Sequence, residues 1–293
     1  MGPLKMPMAP LCPPLQPELL RQLKAWLAED LGRGDLTSPA VIHRDGRAQW
    51  IAKQEGVFCG GVLVEPLFRL LDPQVSVEGR VPDGVRVKAG QRLLTLAGQA
   101  AALVAGERTA LNLAMRLSGV ATATAALVAE LEGTGVRLVD TRKTTPGLRV
   151  LEKYAVRCGG GTNHRFGLDD AAMLKENHLA WAGGIGRAVA VVRASAPWPA
   201  RLIVEAETEE EAGLALRAGA DAVLLDGFSP EALSDLVPRL RQLAPQATLE
   251  ASGVQPEALR AYAASGVDLI STSAPITRSS WLDISMRFEA VLA

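Results

Sequence analysis

Residues 140–147 (DTRKTTPG) place an acid, two cations and several threonines where a strand is expected to become a helix. The preceding residues 136–139 (VRLV) predict a short buried strand, and residues 148–159 (LRVLEKYAVRCG) predict a helix. Thr145 is a favourable N-cap, and Pro146 suits the first helical position. Because the free N–H groups at a helix start attract anions, this junction is a candidate anion-binding site.

The junction lies in the most basic window of the chain, residues 137–175. Its cations are Arg137, Arg142, Lys143, Arg149, Lys153, Arg157, Arg165 and Lys175, and its acids are Asp140, Glu152, Asp169 and Asp170. Arg149 and Lys153 are expected to be solvated charges, since the helix that carries them has a separate apolar face. The remaining candidates lie on loops or strand ends beside Gly and Thr, and they are Arg142, Lys143, His164, Arg165 and Lys175.

From residue 136 onward, apolar strands alternate with amphipathic helices, which implies a parallel sheet and favours a barrel over an open sheet. In such a barrel, functional residues lie at the carboxyl ends of the strands. Polar residues follow most of the predicted strands: Asp140, Arg142 and Lys143; Lys175, Glu176, Asn177 and His178; Glu205 and Glu207; Asp226; Ser252 and Gly253; Ser271, Thr272 and Ser273. One acid or serine at a strand end is more often a helix cap than a catalyst, but the joint pattern predicts one shared site.

The region before the barrel has an irregular pattern that predicts a small α+β domain. Short strands are expected at residues 48–54, 56–64, 75–81 and 91–98, separated by Gly, Pro and Asp. Residues 105–135 predict a largely buried helix, with a bend or an interruption near Gly119.

The amino-acid composition of the chain argues against several classes of function. The chain has 293 residues, of which 48% are hydrophobic, and a net charge of −1, so it has no global attraction to nucleic acid or to an acidic membrane surface. Its three cysteines show no metal-binding spacing, which favours a reduced, cytoplasmic protein. No apolar run approaches the roughly 20 residues of a membrane span. Residues 1–16 are rich in proline and predict a flexible arm rather than a signal peptide.

Residues 140–178 (DTRKTTPGLRVLEKYAVRCGGGTNHRFGLDDAAMLKENH) closely resemble the signature of the quinolinate phosphoribosyltransferase family. The resemblance extends through GERTALNLAMRLSGVAT, VEAET, LLDGFSPE, LEASGV and GVDLISTSA, and covers nearly the whole chain after residue 17. It implies a pentosyltransferase of NAD biosynthesis that joins quinolinate to 5-phosphoribosyl-1-pyrophosphate and releases pyrophosphate and carbon dioxide. It also implies an N-terminal open α/β sandwich (residues 17–111, joined by 279–293) and an incomplete, seven-stranded α/β barrel (residues 112–278).

The resemblance assigns roles to individual residues. Those implied for quinolinate are Arg108, Arg142, His164, Arg165 and Lys175, with Arg108 donated by a second subunit. Those implied for the phosphoribosyl donor are Lys143, Glu205, Asp226, Ser252, Gly253 and Ser273. Lys143, Lys175, Glu205 and Asp226 are the expected catalytic residues, and Glu205 and Asp226 are also expected to hold Mg²⁺, directly or indirectly. The expected assembly is a homodimer, or a hexamer built from three dimers, with shared active sites.

One segment departs from the family pattern. Where the family often has a Gly-Ala-Leu-Thr-His type of run, residues 273–278 read SAPITR. Ser273 is expected to donate where a glycine N–H would, and Arg278 to replace the histidine as a cation.

Three other functions compete with this interpretation. A Schiff-base aldolase would use Lys143 or Lys175 as its nucleophile, but the surrounding arginines exceed what a small neutral carbonyl substrate needs. A related phosphoribosyltransferase specific for nicotinate would need fewer cations, because nicotinate carries only one carboxylate. A non-catalytic phosphate-binding regulator would not need both Glu205 and Asp226.

Overall fold

The computed structural model describes residues 17–289 as two compact units. Of the described residues, the first unit contains 17–124, Val150–Gly160 and 279–289, and the second contains Ala125–Arg149 and Gly161–Arg278. The sequence placed the boundary near residue 111, whereas the contacts extend the first unit by half of a long helix and by one later helix. The predicted arm, residues 1–16, lies outside the described residues.

In chain order the elements begin with α1 (Pro17–Leu31), α2 (Ser38–Val41), β1 (Asp45–Ala52), β2 (Gly56–Val57), α3 (Gly61–Phe68), β3 (Ser76–Glu78), β4 (Arg86–Val87), β5 (Arg92–Gln99) and α4 (Ala100–Glu130). They continue with β6 (Arg137–Val139), α5 (Arg149–Cys158), β7 (Ala172–Leu174), α6 (Glu176–Ala182), α7 (Ile185–Ser195), β8 (Leu202–Ala206), α8 (Glu209–Arg217), β9 (Ala222–Asp226) and α9 (Pro230–Leu243). The last elements are β10 (Thr248–Ser252), a 3₁₀ turn (Pro256–Ala258), α10 (Leu259–Ala263), β11 (Leu269–Ser271), α11 (Ala274–Thr277) and β12 (Ile284–Phe288).

The first unit contains an antiparallel sheet of order β12-β1-β5-β3. In β1, Ala48, Trp50 and Ala52 are fully buried and alternate with more exposed residues, as expected for a strand with one face on a core. The predicted strand at 56–64 is wrong, because β2 stops after two residues and α3 begins at Gly61. Asp83 explains this start, since its carboxylate accepts hydrogen bonds from the N–H groups of Gly60 and Gly61.

Helix α4 is continuous through Gly119, so the predicted interruption is wrong. Gly119 serves close packing instead, because a Cβ atom there would lie 2.1 Å from the carbonyl oxygen of Ser280. Among the described residues, α4 is the one helix long and apolar enough to cross a membrane. It carries thirteen buried residues within the fold, which is typical of a core helix.

The first unit also brings together Cys59, Cys158 and Asp83, whose ligand-type atoms all lie within 4.8 Å of one another. Their sequence spacing gave no sign of this. The Asp83 carboxylate already accepts hydrogen bonds from two backbone N–H groups and from the Tyr154 hydroxyl. Burial raises the pKa of the Cys59 thiol well above its usual value. The cluster is therefore suited to holding the Cys59 thiol in its neutral form.

The second unit contains a parallel sheet of order β6-β11-β10-β9-β8-β7. Thr162 adds an isolated parallel bridge to Val139 of β6, at the place of a seventh strand. Val204, Val223 and Leu225 on one face pack in the core beneath the helices, whereas the opposite face holds a separate small apolar cluster around Leu224. The predicted α/β class, with an N-terminal domain and an incomplete barrel, is confirmed.

The helix starts of the barrel unit follow local sequence rules in most cases. The Thr208 side chain and Glu211 form a capping box at α8, and Ser229 caps α9, both as the sequence indicates. The predicted start of α5 at Thr145 and Pro146 is wrong. Residues 145–148 form a turn with Gly147 at φ +80°, and the helix begins at Arg149.

Candidate active site

A pocket of about 520 Å³ lies at the carboxyl ends of the barrel strands. Parallel pairing explains its composition, because residues in register on neighbouring strands point to the same face of the sheet. Glu205 of β8 and Glu250 of β10 both pair with Leu224 of β9, and Asp226 pairs with Ser252 one layer further along. The lining residues are Asp140, Thr141, Arg142, Lys143, Arg149, His164, Arg165, Met173, Lys175, Glu205, Leu224, Asp226, Glu250, Ser252, Gly253 and Ser271.

Most of the predicted site residues therefore share this pocket. Six strand-end candidates do not line it. Glu176, Asn177, His178 and Glu207 line neither this pocket nor the smaller one beside it, and Thr272 and Ser273 line the smaller one. His178 acts at the start of α6 instead, where its Nδ1 atom accepts the N–H of Lys175. Arg108 lies on α4 in the first unit and is exposed.

Asp140 organises the loop that carries His164 and Arg165. One oxygen of its buried carboxylate accepts the Asn163 side-chain amide at 2.6 Å, and the other accepts the backbone N–H of His164 at 2.8 Å. The sequence predicted a site acid at Asp140 but not these partners. Hydrogen bonds to the ionised form favour a carboxylate here, so Asp140 fixes the loop and leaves anion binding to the cations.

Arg142 and Lys143 are exposed, and their side chains form no hydrogen bond or ion pair with other residues in the described part of the chain. Both are thus available to an anionic ligand. Arg165 is more buried and donates to the carbonyl of Ala171 at 3.0 Å. Burial and the neighbouring Arg142 guanidinium lower the pKa of Arg165. The lowered pKa indicates a pocket in which cations are crowded and an anion would relieve the repulsion.

Two carboxylates differ in their availability. Glu205 forms an ion pair with the ammonium group of Lys175, and its side chain is only 14% exposed. Asp226 is half-buried and forms no hydrogen bond or ion pair with any residue of the described chain. Mg²⁺ is usually held by one or two carboxylates together with waters and substrate phosphates. The pair fits such an ion, with Asp226 the more accessible ligand.

Sequence reasoning missed two charged pocket residues, Arg149 and Glu250. Arg149 was expected to be solvated, but it lines the pocket and donates to Thr144 at 3.1 Å and to the carbonyl of Phe166 at 3.0 Å. It thereby ties the segment after β6 to the loop that follows His164. The matching expectation for Lys153 is also wrong, because its side chain is fully buried in the first unit.

Glu250 lies in the middle of β10, whereas the predicted site residues of the barrel were all taken from the ends of strands or from loops. Its carboxylate lies 3.3 Å from Nε2 of His164, and the two side chains are only 2% and 11% exposed. An acid in the middle of a predicted strand, TLEAS, was the available signal.

A second pocket of about 170 Å³ shares Lys143, Ser252 and Gly253 with the first and adds Ser273 and Arg278. Arg278 donates from Nη1 to the side-chain oxygen of Gln255 at 3.0 Å. The departing segment 273–278 thus supplies a hydroxyl and a guanidinium to the edge of the site.

Comparison with known proteins agrees with this architecture. Residues 35–118 match the model of the quinolinate phosphoribosyl transferase N-terminal domain, and residues 120–287 match the C-terminal domain. The chain is 46% identical over 267 residues to a probable nicotinate-nucleotide pyrophosphorylase [carboxylating] from Synechocystis, covering 90% of each chain. It is 42% identical to the Bacillus subtilis protein of the same name, covering 92% of this chain and 93% of that one.

Solved structures give the same result. The nicotinate-nucleotide pyrophosphorylase from Francisella tularensis superposes with a TM-score of 0.88 at 36% identity, covering 94% of this chain and 98% of that chain.

Proposed function

The chain belongs to the quinolinate phosphoribosyltransferase family, and we propose that its barrel pocket carries out the family's reaction. Quinolinate and 5-phosphoribosyl-1-pyrophosphate yield nicotinate mononucleotide, pyrophosphate and carbon dioxide, a step of NAD biosynthesis. The observation that carries the proposal is the convergence of five Lys and Arg side chains on one pocket in a chain of net charge −1.

Quinolinate is a planar dianion, and the donor adds a phosphate and a pyrophosphate. Two unit charges 4 Å apart interact by about 4 kcal/mol at an effective dielectric constant near 20, so co-binding these anions needs several cations. We assign the quinolinate carboxylates to Arg142, Arg165 and Lys175. The arginine fork binds a carboxylate through two parallel hydrogen bonds. The free Arg142 and the crowded Arg165 suit this role.

We assign the phosphoribosyl donor to the side of Lys143 that faces away from quinolinate. Lys143 lines both pockets. The 5′-phosphate of the donor is assigned to the smaller pocket, where Ser252, Gly253, Ser273 and Arg278 line the walls. Gly253 has φ +72°, so its backbone adopts a left-handed conformation that side chains disfavour.

Glu205 and Asp226 are assigned to the ribose hydroxyls and to Mg²⁺. When bound, the ion would neutralise charge on the departing pyrophosphate. Asp226 is free to accept from a hydroxyl or a coordinated water. Glu205 remains paired with Lys175, so it fixes the ammonium group that is assigned to a quinolinate carboxylate.

The chemistry requires no protein nucleophile. The pyridine nitrogen of quinolinate attacks C1 of the ribose as the bond from C1 to the pyrophosphate oxygen breaks. The carbon of the transition state carries positive charge, and the cations stabilise the leaving pyrophosphate. The ring nitrogen is then quaternary, and its positive charge stabilises the electron pair that stays on C2 when the 2-carboxylate leaves as carbon dioxide. A proton replaces the carboxylate at C2.

The assembly is also part of the proposal. Arg108 is assigned to quinolinate bound in a second subunit, within a homodimer or a hexamer with shared sites. Its exposed position on α4 leaves it available for a contact outside its own chain. We place the enzyme in the cytoplasm, as a metabolic enzyme with small-molecule substrates and no nucleic-acid or membrane partner.

The aldolase alternative is disfavoured by the ion pair of Lys175 with Glu205, because a Schiff-base lysine must attack as the neutral amine. The nicotinate alternative is disfavoured by the number of cations. Purified protein is incubated with the donor, Mg²⁺ and either quinolinate or nicotinate, and pyrophosphate is measured. We expect release with quinolinate and little with nicotinate. No release with quinolinate at high enzyme concentration would overturn the proposal.

A further inference from the structure

His164 is bound through both ring nitrogens. Its Nδ1 atom accepts the backbone N–H of Arg165 at 2.7 Å, and its Nε2 atom lies 3.3 Å from the Glu250 carboxylate. A neutral imidazole has one nitrogen that donates and one that accepts. Because Nδ1 accepts, Nε2 carries the proton and donates it to Glu250. The single ring N–H of His164 is therefore used in a contact with Glu250.

The Glu250 carboxylate has one oxygen that faces His164 and one that is unpaired among the described residues. Its second oxygen, Oε1, is buried and has no hydrogen-bond partner within residues 17–289. Buried polar atoms almost always find a partner, so an exception calls for an explanation. Lys175 does not supply one, because it pairs with Glu205 two strands away, roughly 10 Å across the sheet. Within residues 17–289, His164 is the group that lies within ion-pair distance of this buried side chain.

We propose that Glu250 is a positioning residue of the quinolinate site: it holds His164 in the tautomer protonated at Nε2, which leaves Nδ1 to orient Arg165. Both ends of Arg165 are then anchored, the backbone by His164 and the guanidinium by the carbonyl of Ala171. Losing the carboxylate frees the ring to move its proton to Nδ1. A proton there would oppose the Arg165 N–H and displace the residue from its binding position.

The expected effect of Glu250 on quinolinate binding rests on the proposed function. The tautomer of His164 does not, because it is observable without substrate. The chain has only three histidines, His43, His164 and His178. Long-range ¹H–¹⁵N correlation spectra of ¹⁵N-histidine-labelled protein can therefore resolve each ring, with His164→Gln to assign the signal. His178 serves as an internal reference, because its Nδ1 atom also accepts a backbone N–H.

In the wild-type protein we expect His164 to show a fixed neutral ring protonated at Nε2. Glu250→Ala should abolish that fixed tautomer and leave His178 unchanged, and Glu250→Gln should retain it because the carboxamide oxygen still accepts. A wild-type His164 protonated at Nδ1, or on both nitrogens, would overturn the proposal, and this outcome does not depend on the folding of the Glu250 variants.

Kinetics give the second readout. Glu250→Ala should raise the KM for quinolinate by about 10- to 100-fold, the usual cost of losing an orienting partner. The KM for the donor and the values for Glu250→Gln should stay within about threefold of wild type, well short of that cost. Thr248→Ala is the matched control, on the same strand face one layer deeper, and should change either KM by about twofold or less. Equal effects of Glu250→Ala on both substrates would overturn the role. A fixed tautomer in an enzyme that makes no product from quinolinate would instead count against the proposed function alone.

Discussion

Arg142→Ala is the sharpest test of the charge assignment. Arg142 is exposed and forms no ion pair with another residue of the described chain, so its removal leaves no partner unpaired. The substitution removes one guanidinium from the pocket and leaves Arg165 and Lys175 in place. It should therefore weaken binding of the dicarboxylate without disturbing the fold.

The magnitude follows from the exposure of the side chain. A fully desolvated pair would approach the Coulomb value of about 4 kcal/mol, but solvent screens an exposed group. A hydrogen bond to a charged group contributes about 1.5 to 3 kcal/mol, so the KM for quinolinate should rise roughly 10- to 150-fold. Arg142→Lys should fall between wild type and Arg142→Ala, because an ammonium group keeps the charge but loses the fork.

The assay measures the KM for quinolinate and for the donor under steady-state conditions, with the other substrate saturating. Arg187→Ala is the matched control, since it removes the same charge from an exposed position on α7 of the same unit. An Arg142→Ala enzyme whose two KM values rise equally, or no more than those of Arg187→Ala, would refute the assignment.

Three further changes test other parts of the account. Gly119→Ala should destabilise the fold by about 1 to 3 kcal/mol, because its methyl group would lie 2.1 Å from a backbone oxygen. Gly213→Ala is the control and should not destabilise the fold, because the added methyl group faces a flexible side chain. Thermal unfolding of the two variants measures the difference. Asp226→Asn should raise the Mg²⁺ concentration needed for half-maximal activity, and an unchanged requirement would remove Asp226 from the metal assignment. Arg108→Ala and Lys175→Ala proteins, each inactive alone, should recover activity when mixed under conditions that exchange subunits. Failure to recover after demonstrated exchange would argue that each site is built from one chain.

The barrel and most of its pocket are predictable from the sequence, because strand ends and helix caps are local features. Lys175 directly follows β7, Asp226 ends β9 and Glu205 is the last residue but one of β8, and parallel pairing brings them to one edge.

The errors arise where packing or backbone conformation overrides a local pattern. Gly147 adopts φ +80° and delays α5, so Arg149 lies at the helix start beside the pocket rather than on a solvated face. Lys153 is buried by elements distant in sequence, which periodicity cannot show. Glu250 lies inside its strand, and only the position of His164 reveals its purpose.

The central claim is that the barrel pocket binds quinolinate through its arginines. A crystal structure of the enzyme with quinolinate tests this most directly. We predict a ligand at the carboxyl ends of the barrel strands, with its carboxylates within hydrogen-bonding distance of Arg142 and Arg165. Quinolinate bound elsewhere, or in this pocket without either arginine, would contradict the account.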